Sequence, residues 1–166
     1  MKTKITLLVS FSLLLLYSCT KEVPEGGKKG AKTSDDVSIS KTIEGFFNSY
    51  NSNNFDSLAV MFDVDYKGFI PDSDDAVAVL STINDLKQYR RRYPDGKWEY
   101  KIEEINSGGE YAEVLTTASF MMPGPASGKL NPTYSERSIR ILKKQKDDGW
   151  KIYRYMAIPT FSYDSN

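Results

Sequence analysis

Ser135-Glu136-Arg137-Ser138-Ile139-Arg140-Ile141-Leu142-Lys143-Lys144 and Trp150-Lys151-Ile152-Tyr153-Arg154-Tyr155-Met156-Ala157-Ile158 are two alternating runs joined across Asp147-Asp148-Gly149. β-Branched and aromatic residues at every second position, with an Asp-Gly turn between the runs, predict an antiparallel hairpin. The same period continues upstream. Trp98, Tyr100 and Ile102 alternate with Glu99, Lys101 and Glu103; after a turn at Ser107-Gly108-Gly109, Ala112, Val114, Thr116, Ala118 and Phe120 share one face. Pro123 to Pro132 reads as a long loop, so the C-terminal half is four strands.

Before Pro94-Asp95-Gly96 the period changes to that of a helix. Ile39, Ile43, Phe46, Phe47 and Tyr50 fall on one face, with Asp35 or Asp36 as N-cap, and Asn51-Ser52-Asn53-Asn54 ends the run. Phe55, Leu58, Ala59, Met61 and Phe62 predict a second short helix. Asp65 to Ile70 is extended and stops at Pro71-Asp72-Ser73-Asp74. Ala76 to Leu80 reads as a returning strand or as the first turn of a third helix. Thr82-Ile83-Asn84-Asp85 has capping-box spacing and opens that third helix, which runs to about Tyr93. Helices first and strands after predict an α+β domain, with the helices on one face of a mostly antiparallel sheet.

The N-terminus sets the compartment. Lys2 and Lys4 precede an apolar run from Ile5 to Tyr17, too short to span a bilayer, and Ser18-Cys19 closes it. This order resembles a bacterial lipoprotein signal, which implies a leader over 1–18, lipid on Cys19, and a periplasmic position. No aspartate follows Cys19, so the resemblance implies the outer membrane. The segment 19–36 is rich in Gly, Lys, Pro and Ser and reads as a flexible tether, leaving a domain over 37–162.

Composition removes several classes of function. Without the leader, 20 basic side chains face 22 acidic ones, a balance that argues against a nucleic-acid binder. Histidine is absent, which removes imidazole bases and most catalytic zinc sites, and the single cysteine allows no disulfide within the chain. No metal or cofactor is expected.

The order of elements resembles NTF2-like domains, also described as SnoaL-like or ketosteroid-isomerase-like. The most specific match is Arg137-Ser138-Ile139-Arg140-Ile141 followed by Asp148-Gly149-Trp150-Lys151-Ile152-Tyr153-Arg154. The resemblance covers about Ser38 to Thr160 and implies a cone: three N-terminal helices packed on a curved sheet. It implies no single activity, since the fold hosts enzymes and binding modules alike. An ungapped match through Asn53 to Pro71 places the isomerase base at Ile70 and its helix-borne tyrosine at Phe46. Neither can act in that role.

The alternation of the last two strands suggests a site. Arg137 shares a face with Ile139 and Ile141, and Arg154 shares one with Trp150, Ile152, Met156 and Ile158. If this face is concave, two guanidiniums enter a pocket walled by Trp98, Tyr100, Thr116, Phe120 and Met156. That chemistry suits a small amphipathic anion. Alternatively the arginines pair with Asp63, Asp65 or Asp85, or a bulge turns Arg154 outward. The opposite face offers Tyr111, Leu115, Met121, Leu142, Tyr153 and Tyr155, enough apolar surface to expect a homodimer; with the strand phase inverted, these line the pocket instead.

Three further features carry two readings each. Arg90-Arg91-Arg92 is a binding patch or a charge at a helix C-terminus. Met121-Met122-Pro123-Gly124-Pro125 is a pocket lip or an ordinary loop. The whole is a non-catalytic module for a small ligand or a protein partner, or an acid–base enzyme using Asp65 with Tyr50 or Tyr100.

Overall fold

The structure, a computed structural model, describes residues 33–70, 75–124, 128–147 and 149–162. The leader, Cys19 and the tether up to residue 32 lie outside these residues, as do the stop at 71–74, residues 125–127 of the expected loop, and Asp148.

Among the described residues three helices, α1 (Ser34–Asn51), α2 (Phe55–Ala59) and α3 (Val79–Arg92), accompany five strands: β1 (Phe62–Phe69), β2 (Lys97–Gly108), β3 (Tyr111–Pro123), β4 (Leu130–Lys144) and β5 (Trp150–Ser162). The sheet order is β1-β5-β4-β3-β2; β1 runs parallel to β5 and every other pair is antiparallel. The α+β class and the mostly antiparallel sheet are as expected.

α1 buries Ile39, Ile43, Phe47 and Tyr50 along one stripe and packs on β2 and β5. Its cap lies earlier than either expected aspartate. Thr33 accepts from the Asp36 amide at 3.1 Å and Asp36 reciprocates at 2.9 Å, a capping box that draws Ser34–Asp36 into the helix. Asn53 takes a left-handed φ of 59°, which asparagine tolerates, and turns the chain toward α2.

The expected returning strand reduces to one bridge, Gly68 to Val77, before α3 begins at Val79. Thr82 and Asp85 therefore sit inside the helix and cap nothing. At its C-terminus Arg90 donates to the carbonyls of Gly96 and Asn51, so this arginine clasps backbone. Asn51 in turn donates to Trp98 O at 2.9 Å and accepts from Trp98 N at 2.8 Å, continuing the ladder of edge strand β2 with a side chain. Gly96 is buried against Phe120, and an added Cβ there would lie 2.1 Å from Phe120 Cζ.

On β3, Ala112, Val114, Thr116, Ala118 and Phe120 face the helices without exception. β4 starts at Leu130, inside the expected loop. β5 changes phase midway: Ile141 pairs Arg154 but Leu142 pairs Ile152, leaving Tyr153 as an extra residue.

Candidate functional site

A cavity of about 150 Å³ lies between the helices and the inner face of the sheet. Phe46 and Phe47 from α1, Phe62 and Tyr66 from β1, Leu86 from α3 and Trp98 from β2 make most of its wall. Thr82 and Asp85 also line it, with exposed Asp85 at the rim. Its polar pole is Glu136 and Arg140 on β4 with Tyr155 on β5.

These groups are deeply buried. Arg140 is 2% exposed and Glu136 5%. Arg140 Nη1 donates to Thr116 Oγ1 and, at 2.6 Å, to Ser138 Oγ, while Nη2 stands 3.8 Å from Glu136 Oε1. The guanidinium carbon lies 5.5, 5.3 and 4.9 Å from the ring centroids of Phe46, Phe47 and Tyr155. Both Glu136 oxygens accept from phenols: Tyr155 reaches them at 2.9 and 3.0 Å, and Tyr134 reaches Oε2 at 3.2 Å. Burial, then the neighbouring Glu136 charge, pushes the Tyr155 and Tyr134 hydroxyls above the ordinary tyrosine range. Both stay neutral donors at physiological pH. Burial raises Tyr66 as well.

The expected arginine pair does not form. Arg137 is exposed on the outer face, opposite Thr117 and Ile158. Arg154 turns outward at the β5 bulge, donates to Asp65 O at 2.8 Å and Tyr153 O at 2.7 Å, and lies 3.5 Å from the Tyr153 ring centroid. Met156 is 51% exposed on the same outer face. The strand phase is thus inverted on β4 throughout and on β5 beyond the bulge.

The remaining wall candidates divide. Trp98 lines the cavity. Thr116 and Phe120 are fully buried behind it, Thr116 as an Arg140 partner and Phe120 in an aromatic cluster with Tyr50, Tyr89 and Tyr93. Tyr100 stacks on Phe47 at 4.1 Å and borders a separate groove. Leu142 and Tyr155, expected on the outer face, point inward. Met122 packs on the core and does not line the cavity.

The acid–base candidates are scattered. Asp65 is exposed on β1. Tyr50 sits fully buried in the core, its hydroxyl pushed up to about 12 by burial. Among the described residues no acidic grouping is arranged to hold a metal ion.

The alternation of Ser135–Lys143 hid Arg140 and Glu136. Their inward row of Glu136, Ser138 and Arg140 is polar, while the outward row holds two isoleucines, so hydropathy points the wrong way. The available signal was pairing: Thr116, on an unambiguous inner face, meets Ser138 directly across the ladder.

No family model matches the sequence, and no curated protein matches it significantly. Solved structures do match. An NTF2-like protein with a cystatin-like fold from Novosphingobium aromaticivorans is similar at a TM-score of 0.67 and 13% identity, covering 80% of this chain and 84% of that one. A domain of unknown function with a cystatin-like fold from Nostoc punctiforme gives 0.66 and 12%, over 80% and 81%. A ketosteroid isomerase-like protein from Erwinia carotovora atroseptica gives 0.58 and 14%, over 78% and 99%. At these identities the likeness shows the fold, and the fold is NTF2-like.

Proposed function

We propose that this NTF2-like domain is a binding module whose cavity takes one small molecule with an apolar body, and that no chemistry is done on it. The observation that carries this reading is Arg140. Among the described residues its hydrogen bonds all leave from Nη1, so Nε and Nη2 donate to no protein acceptor. A guanidinium has five N–H donors, and those at Nε and Nη2 are open to an acceptor that enters the cavity. Ile70 and Phe46, the positions that the resemblance assigns to the isomerase base and tyrosine, both line the cavity and bear no titratable group. Glu136 is a poor substitute because its oxygens are already engaged by phenols. A thermal-shift panel of single-ring and branched aliphatic compounds tests the reading. Some are expected to raise the Tm of the native protein and not that of Leu86→Trp, whose indole fills the cavity; equal behaviour of the two proteins across the panel would overturn it.

The module is proposed to stand at the outer membrane, facing the periplasm, with lipid on Cys19 and 19–36 as tether. Cys19→Ala is expected to move the protein from the membrane to the soluble fraction.

A specific row favours a homodimer through the outer sheet face. Phe69, Met156, Ile139 and Leu115 are cross-strand partners on four adjacent strands, the first three 47%, 51% and 39% exposed. The row crosses the strands from β1 to β3. The outer face of β4 and β5 carries Arg137, Lys143, Lys151 and Arg154, and that of β2 and β3 carries Glu99, Glu103, Glu104 and Glu113 with Lys97 and Lys101 among them. A two-fold axis crossing the row sets the basic strands against the more acidic ones.

A further inference from the structure

We propose that the cavity selects a neutral ligand of single-ring size bearing one hydrogen-bond acceptor, such as a carbonyl, and rejects the corresponding anion. This rests on the binding reading above and departs from the expectation of an anionic ligand. A cavity near 150 Å³ admits about one six-membered ring with a short substituent. The walls offer such a ring Phe46, Phe47, Phe62, Leu86 and Trp98. Arg140 then supplies the open donors.

Charge decides the rest. Arg140 alone would invite a carboxylate, but Glu136 stands 3.8 Å away and is equally buried, so the pole is already neutral. Asp85 adds a negative charge at the rim. An anion would pass Asp85, lose its hydration, and come to rest beside Glu136 at low dielectric. A carbonyl takes the same Arg140 donors with no like-charge repulsion and far less desolvation. Tyr155 and Tyr134 already donate to the Glu136 oxygens, which a ligand donor would have to share with them.

Isothermal titration of the folded domain with acetophenone, benzoate and isopropylbenzene, three probes of nearly equal size, tests this at neutral pH. Acetophenone is expected to bind about tenfold more tightly than either of the others, the worth of one charge-assisted hydrogen bond. In Glu136→Gln, benzoate is expected to gain about tenfold as the opposing charge is removed. In Glu136→Gln/Arg140→Met, which removes both charges at once, acetophenone and isopropylbenzene are expected to bind alike. Benzoate binding tightest to the native protein would overturn the ligand class while leaving the cavity a binding site. Equal acetophenone and isopropylbenzene binding in the native protein would overturn the role of Arg140. Failure of all three probes, with no compound in the thermal-shift panel active either, would overturn the binding reading itself.

Discussion

Arg140 and Glu136 show how much a single pair of residues is asked to do inside this domain. Each is almost completely removed from water, and each is neutralised by the other at 3.8 Å with hydroxyls filling in around them. Removing one partner strands a buried charge, so Arg140→Met is expected to cost about 3–5 kcal/mol in chemical denaturation. The double variant Glu136→Gln/Arg140→Met is expected to recover most of that loss, a coupling that a double-mutant cycle measures directly. Gly96 is constrained by contact instead of charge. With Phe120 Cζ 2.1 Å from the position of a Cβ, Gly96→Ala is expected to cost about 1–3 kcal/mol, read as a lower denaturation midpoint with an unchanged slope.

At the level of elements, the helices and strands are held to one another by side chains that stand in for backbone. Asn51 closes a rung on β2, Arg90 clasps the carbonyls of Asn51 and Gly96, and Thr42 donates to Trp150 O at 3.1 Å. Asn51→Ala is expected to fray the start of β2, seen as faster amide exchange at Trp98. Asp63 ties β1 to the β4–β5 hairpin through Gln145 at 2.9 Å, and within β1 it accepts from the Asp65 amide at 2.9 Å. Burial opposes its charge, yet these bonds and the nearby Lys143 and Lys151 win and hold the carboxyl below its ordinary value. A carboxylate depressed by folding contributes stability above its unfolded pKa, and that contribution fades as pH falls through the folded one. Asp63→Asn is therefore expected to lower stability at neutral pH and to flatten the loss seen below about pH 4.

Much at this level was legible in the chain. The α1 stripe and the alternation of β2 and β3 each place one apolar face toward one core, which pattern alone can express; the Asp-Gly hairpin was legible as a pairing of strands but not in its phase. What pattern could not express was the start of α3. Val77 pairs with Gly68 and the helix begins two residues later, so the capping-box spacing at Thr82 was overridden by a tertiary bridge.

For the whole molecule, the sheet has two working faces with opposite demands. The inner one carries a neutral polar pole in an aromatic hollow; the outer one carries an apolar row that crosses from the basic strands β5 and β4 onto β3. Ile139→Glu is expected to break the proposed dimer, shifting the sedimentation coefficient to that of a monomer, while probe binding in the cavity stays unchanged. A monomer at all concentrations in the native protein would remove that assembly.

The sequence by itself determined the class of fold, the order of its elements and the absence of imidazole chemistry, because hydrophobic period and composition are local properties. Tertiary structure alone decided which arginine faces inward. A strand can turn polar residues toward a core only when a cavity and paired partners receive them, and a one-residue bulge in β5 exchanges the faces of everything beyond it. Neither is written in the period of either strand.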